Sequence, residues 1–301
     1  MKRDRLTLVA FILGSALAGG NGVAVRFSNR ELEPLWGAAF RFALAGLLLL
    51  AIMAVLRLPF PRGRALAGVV LYGALSFAGA YAFAYYALLH IHAGLGQTIL
   101  ALVPLATLLV AVLFREERFR ARVLVGSLIA LAGVAVISGA SLGEELPLLS
   151  LLAALGGVLC FALAAVLIHR FPAVHPVTVN AVGMTTGALL LFLGAVIAGE
   201  SLALPRETDT WLALAYLVPI GSIAIFLLYL FVIREWGASR AAYSFVLIPF
   251  VTVILSAWLD EEPLGWNLLI GGPLIIAGVY VGALRHPNGE AKDVPVADAE
   301  R

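Results

Sequence analysis

Charge is scarce in this sequence. Only 13% of its 301 residues are Asp, Glu, Lys or Arg, whereas 62% are hydrophobic. A soluble domain carries about 25% charged residues on its surface, so a water-soluble fold of this length is excluded. Cysteine is almost absent. Cys160 stands alone in an apolar run, so no intramolecular disulfide can form, and it reads as a small buried hydrophobe. Net charge is +2 and no Lys/Arg run lies in a polar segment, which excludes a nucleic-acid footprint.

Catalytic constellations are missing too. There is no Gly-x4-Gly-Lys-Ser/Thr stretch, so no ATPase site, and Ser and His never combine with a buried acid as a membrane protease requires. Gly19-Gly20-Asn21-Gly22 is glycine-rich but lies inside an apolar span, where close helix packing or a hinge explains it better than phosphate binding. His90 and His92 are two residues apart, a poor metal pair because helical neighbours on one face are three or four apart. The sequence therefore calls for no cofactor, no metal and no enzymatic activity.

What is present is length without polarity. Breaking the chain at charged, Pro and Gly clusters leaves ten apolar stretches, near 6–26, 34–56, 65–89, 93–114, 122–140, 147–169, 176–198, 210–233, 238–259 and 264–284. About 20 apolar residues cross a bilayer as a helix. The first stretch, after Met1-Lys2-Arg3-Asp4-Arg5, runs from Leu6 to Val25, which is spanning length rather than the short core of a signal peptide. The expected fold is all-α and polytopic, with ten transmembrane helices and a polar tail at 286–301.

Lys and Arg orient it. With the N-terminus inside, sixteen of them fall on the cytoplasmic side and three (Arg26, Arg30, Arg206) outside, while Arg41 lies within the second span. This positive-inside bias places both termini in the cytoplasm of a cell-membrane protein.

The chain also repeats itself. An offset of 145 residues aligns 93–136 with 238–281 without a gap at eleven identities, including Pro104/Pro249, Glu116/Glu261, Glu117/Glu262, Gly126/Gly271 and Gly133/Gly278. Pro marks a kink, the Glu pair an interhelix turn and Gly a close-packed face. Each half, 1–140 and 147–285, holds five spans, an odd number, so the halves are inverted. Inverted repeats are the architecture of secondary transporters, with the site at their interface near the midplane.

On these residues the chain resembles the EamA-type branch of the drug/metabolite transporter superfamily. The carrying features are the Pro of each fourth helix (Pro104, Pro249), the Glu117-Arg118 and Glu262-Pro263 turns, and the Gly-rich fifth helices. Pro34 followed by Arg41-Phe42-Ala43-Leu44-Ala45 belongs to the same pattern. The resemblance implies a carrier of small metabolites, commonly an exporter of amino acids, with the first, third, fourth, sixth, eighth and ninth helices around a central cavity.

Candidate site residues follow. Phe77, Tyr81, Ala84, Tyr85 and Leu88 share one face by α-helical spacing, and the repeat sets Phe226 and Tyr229 opposite them. Gln97 and the Tyr243–Ser244 pair add polar groups, and Asn21 is the strongest polar group of the first helix. Asn21, Gln97 and Tyr243 are the best expected substrate contacts. Gly20, Pro104 and Pro249 are expected hinges of gating helices. Arg41, Glu117 and Glu262 are expected as structural charges: Arg41 snorkelling to the interface or binding helix-end carbonyls, with a substrate carboxylate as its other reading, and each Glu capping the helix that follows it.

No Asp or Glu lies mid-span. Small multidrug exporters that exchange cationic drugs for protons resemble this superfamily but use a carboxylate within the first helix, so that reading is disfavoured. The expected function is secondary transport, by alternating access, of small neutral or zwitterionic solutes such as amino acids, aromatic or otherwise hydrophobic ones included. A non-transporting membrane sensor or structural module is the alternative. Partners are a small-molecule substrate and the bilayer, and ten helices suffice for a pathway within a monomer.

Overall fold

The computed structural model describes residues 2–88, 99–138, 147–259 and 266–284. Among them every regular element is helical, and ten helices result. They are α1 (Lys2–Ser28), α2 (Pro34–Val55), α3 (Arg64–Gly73, Ala74–Gly79 and Ala80–Leu88 in one run), α4 (99–100, a turn, then Val103–Leu113) and α5 (Ala121–Ser138). The second half has α6 (Leu148–Arg170), α7 (Pro176–Ala198), α8 (Thr208–Trp236), α9 (Ala238–Ala241 and Ser244–Leu259) and α10 (Trp266–Val279 and Tyr280–Leu284). The protein is a ten-helix inverted repeat in the membrane. Gln97, His90, His92, Glu261 and Glu262, and the tail, lie outside the described residues.

The sequence dictates these helices simply. In hydrocarbon each backbone N–H and C=O must be satisfied within the segment, and Ala/Leu/Val runs do so at little cost. Pro34 and Pro176 open α2 and α7 in the first turn, where no amide donor is needed. Gly199 closes α7 at φ 74°, and Gly237 at φ 85° turns α8 directly into α9. Faces turned away from the bundle are bare hydrocarbon: Val55, Leu113, Leu193 and Ile197 are exposed, Ile197 by 86%. Such a surface belongs against lipid.

The halves are not two bundles side by side. α1 packs against α8 and α9, whereas its counterpart α6 packs against α3 and α4. Each first helix thus completes the other half. Elsewhere counterparts pair directly, α2 with α7 and α5 with α10. The repeat glycines make the last pairing. A Cβ on Gly126 would lie 2.7 Å from the Gly278 carbonyl oxygen, and one on Gly133 2.7 Å from that of Gly271. The two repeat pairs exchange partners, as a two-fold relation between antiparallel helices requires.

A second repeat signature is conformational. α3 contains a π-helical turn at Ala74–Gly79 and α8 one at Pro219–Ala224, 145 residues apart at both ends. Pro219 accounts for the second, since it lacks the N–H that a plain α-turn uses. No proline marks the first. π-turns add one residue to a helix and gather at functional sites.

Candidate substrate cavity

A cavity of about 270 Å³ lies between the halves. Its wall draws on α1 (Phe11, Gly14, Ala18, Asn21), α2 (Arg41), α3 (Tyr81, Tyr85), α4 (Leu100), α6 (Phe161), α8 (Phe226, Tyr229) and α9 (Ser244, Phe245, Thr252). No Asp or Glu is among its lining residues. Drug-sized sites run from roughly 300 to 1,000 Å³, so this one suits a small solute.

Aromatic rings form a continuous arc. Tyr85 stands 6.4 Å from Tyr81, Tyr81 6.2 Å from Phe161, Phe161 4.9 Å from Phe245 and Phe245 5.7 Å from Tyr229, centroid to centroid. These tilted and edge-on pairs stabilise one another and hold the wall rigid. Towards the face that carries the N-terminus, Phe11 packs on Trp236 at 5.5 Å, and the Arg240 guanidinium lies 4.6 Å over that indole.

Polar groups are few and placed. The Asn21 amide donates to the Gly221 carbonyl within the π-turn of α8 at 3.1 Å, leaving its Oδ1 without a partner. Tyr216 Oη donates to the Leu17 carbonyl at 2.6 Å and lies over Gly20, and Thr252 Oγ1 donates to the Gly19 carbonyl at 2.9 Å. Gly19 and Gly20 therefore admit α9 and α8 to the α1 backbone. α1 continues unbroken through them.

Pro104 follows the break at 101–102 and opens the longer segment of α4. Pro249 instead sits inside an unbroken stretch of α9, whose interruption lies earlier, at 242–243. Each proline deprives the carbonyl four residues before it of its helical donor. Those residues are Leu100 and Phe245, and both line the cavity.

Arg41 is 2% exposed and so does not reach the interface as snorkelling would require. Its Nη2 donates to Tyr81 Oη at 2.9 Å, and its guanidinium carbon lies 4.5 Å over the Phe42 ring and 5.0 Å over the Tyr81 ring. Its Nε has no hydrogen-bond partner, and no salt bridge joins it to a described acid.

Six of the expected contacts line this cavity: Asn21, Tyr81, Tyr85, Phe226, Tyr229 and Ser244. Phe77 does not. It is fully buried behind the wall, 4.7 Å from Phe226 and 5.1 Å from Phe42. The π-turn explains the difference, because one inserted residue rotates the helix by about 100° and separates faces that plain α-spacing would unite. Tyr243 is also displaced. Its hydroxyl donates to the Val123 carbonyl at 2.7 Å and so accepts from Ser127 Oγ at 3.1 Å, joining α9 to α5. Tyr243 lies in the turn at 242–243, ahead of the helical segment that opens at Ser244, and its hydroxyl is held against α5. Phe11, Phe161, Phe245 and Thr252 were not expected. Thr252 carried a signal as the repeat partner of Thr107. The three Phe residues carried none beyond lying on the cavity helices.

Both faces of the protein are tied across the halves. Glu117 Oε1 accepts the Ser239 N–H at 3.1 Å, at the start of α9, and Glu116 pairs with Arg170 at 3.1 Å. Glu117 thus caps a helix of the opposite half and not the helix that follows it, because the turn before α5 points it across the interface. On the other face Glu31 accepts the N–H groups of Arg206 (2.6 Å) and Glu207 (3.2 Å), at the start of α8. Glu200 accepts those of Leu35 (3.1 Å) and Trp36 (2.8 Å), at the start of α2, and Trp36 Nε1 donates to the Ala203 carbonyl at 2.7 Å. Each carboxylate sits at the positive end of a helix in the other half. Partial burial alone would raise the Glu31 carboxyl. Hydrogen bonds from Thr210 and from the Arg206 and Glu207 amides, with the Arg206 charge, outweigh it and hold Glu31 below the usual carboxylate range.

The profile of the EamA-like transporter family matches this sequence twice, over residues 5–139 and 148–283. The chain belongs to the EamA-like transporter family. Its EamA repeats coincide with the two inverted halves. The chain is 29% identical to the uncharacterized inner membrane transporter YedA of Escherichia coli (strain K12), over 87% of this chain and 86% of that protein. It is 26% identical to the uncharacterized transporter YyaM of Bacillus subtilis (strain 168), over 96% and 98%. A probable terminal-alkyne amino-acid exporter of Streptantibioticus cattleyicolor is 28% identical over 73% of this chain and 74% of its own length. A solved crystal structure shares the fold with a TM-score of 0.73 at 22% identity, covering 93% of this chain and 97% of that one.

Proposed function

We propose that this EamA-family protein is a secondary transporter that exports small zwitterionic, partly apolar metabolites such as amino acids. The carrying observation is the cavity itself, walled by corresponding helices of both halves. A solute there touches both moving parts, and rocking one half against the other would expose it to each side in turn. The ties on the two faces, Glu116–Arg170 and Glu117–Ser239 on one and Glu31 and Glu200 on the other, are contacts such rocking would break alternately.

Chemistry narrows the solute. The ring arc offers apolar contact, and Asn21 on the cavity wall carries an Oδ1 that no protein donor takes, an acceptor suited to an ammonium group. The lining without acids disfavours an organic cation exchanged for protons. The positive-inside bias supports an N-terminus in the cytoplasm of the inner membrane, and a cavity walled by helices of both halves supports a pathway within one chain. The name of the Streptantibioticus relative supports amino-acid export.

Reconstituted protein would be tested by counterflow: vesicles preloaded with L-leucine or L-phenylalanine, then offered the labelled compound. Transient accumulation above the equilibrium level is expected. Folded protein that gives none across the common amino acids would refute the reading.

A further inference from the structure

Arg41 sits about 10 Å along α2 from Pro34, at 1.5 Å rise per residue, and it is almost wholly buried. A guanidinium there is costly unless something answers it. The protein answers it in part. The Tyr81 hydroxyl accepts one N–H, and the Phe42 and Tyr81 rings lie within cation–π range. Yet Nε remains without a partner, and no described carboxylate pairs with it.

The Tyr81 phenol adds to this imbalance. Its oxygen is taken as an acceptor by Arg41, so its own proton is available to donate. Arg41 and Tyr81 both line the cavity. Together they present donors and one full positive charge, with no anion among the cavity residues. That is the complement of an oxyanion, and a carboxylate takes two parallel donors from a guanidinium fork.

Resting on the carrier reading above, we infer that Arg41 and Tyr81 bind the carboxylate of the transported solute. The aromatic arc, which begins at Tyr81, holds its apolar body. The substrate class is therefore small monocarboxylates with a hydrophobic side chain, amino acids included. The corresponding amides and decarboxylated amines are rejected, because both lack the negative charge that answers the Arg41 guanidinium. In the other half Gly183 falls where Arg41 would, so the solute binds in one orientation despite the repeat.

Two measurements on purified full-length protein test this. The first is inhibition of counterflow by L-phenylalanine, L-phenylalaninamide and phenethylamine. The second is thermal stabilisation in detergent by 3-phenylpropionate and by 3-phenylpropanamide, which needs no transport. The acids should be favoured over the amides by at least about tenfold, in line with charge-assisted hydrogen bonds. Arg41→Gln should bring that ratio close to one, and Arg41→Lys should keep part of it. If Arg41→Gln does not fold, Tyr81→Phe carries the test with a severalfold loss of acid preference. Equal potency of acid and amide with flux intact overturns the carboxylate site and leaves the carrier standing. Absence of all flux, with stabilisation by 3-phenylpropionate that Arg41→Gln abolishes, overturns the carrier and leaves the site. No stabilisation by either compound overturns the site.

Discussion

Gly73 of α3 lies directly against Gly183 of α7: a Cβ on Gly73 would stand 2.3 Å from the Gly183 carbonyl oxygen. The contact is backbone on backbone, one residue before the π-turn of α3. Neither helix has a flexible side chain there to give way. Gly73→Ala should therefore destabilise the protein by about 1–3 kcal/mol through overpacking. Gly194 of α7 is the control, since a Cβ there meets only Leu35 Cδ1 at 3.7 Å. Gly194→Ala should be neutral or stabilising by up to about 1 kcal/mol. Thermal unfolding in detergent compares the two, and equal melting temperatures would contradict the packing described.

Tyr243 separates structural from solute-contacting aromatics. Tyr243→Phe removes the hydroxyl that joins Val123 and Ser127, both on α5. Stability should fall by about 1–2 kcal/mol, while relative affinities across a panel of solutes stay unchanged. Phe161→Ala and Phe245→Ala should do the reverse, changing solute preference because both rings line the cavity. A preference shift in Tyr243→Phe would place that residue at the solute after all.

Acid should loosen the face on which Glu31 lies. The Glu31 carboxyl is held below the ordinary range, so the charged form is favoured by the folded state. The sign follows by linkage. Its contribution is complete above the unfolded value, about pH 4.3, and is lost as pH falls through the lower folded value. Hydrogen exchange of the amides that open α8, including Arg206 and Glu207, should be steady from pH 7 to 5 once corrected for intrinsic rate, and should rise below about pH 4. Glu31→Gln should show fast exchange at every pH. A rise centred near pH 6 would point to a different group.

Glu117 should control access from the face of the N-terminus. Glu117→Ala strips the Ser239 amide of its acceptor and loosens a tie between halves. In a Cys160→Ala background, a cysteine placed at Ser244 should react several-fold faster with an impermeant thiol reagent applied to that face. Glu31→Ala should not speed the same reaction. An unchanged rate in Glu117→Ala would mean that this contact does not gate the cavity.

Much of the fold was legible because the bilayer leaves few choices. Ten apolar stretches of spanning length have no other use, and Pro104/Pro249 and the Gly pairs expose the repeat. The site was legible only in part, and each failure has a local cause. α3 carries its π-turn without a proline, so the face shared by Phe77 and Tyr81 on paper is split in space. Glu31 and Glu200 read as ordinary loop acids, because a cap on the opposite half leaves no mark in nearby sequence. Phe161 and Phe245 meet only because α6 and α9 converge on the cavity, a distant relation that spacing along one helix cannot reveal. Arg41 was visible as a charge at depth, but that no described acid pairs with it became visible only with its neighbours in place.

The exchange of first helices carries a consequence for how this protein changes over time. α1 rests on α8 and α9, and α6 on α3 and α4. Neither half owns its share of the wall, so a mutation on α1 is answered by residues some two hundred positions away, as Asn21 is by Gly221. Duplicated units usually drift apart once each can stand alone. Here the first helix of each half packs on the other half, so a change in either one alters the wall that both share.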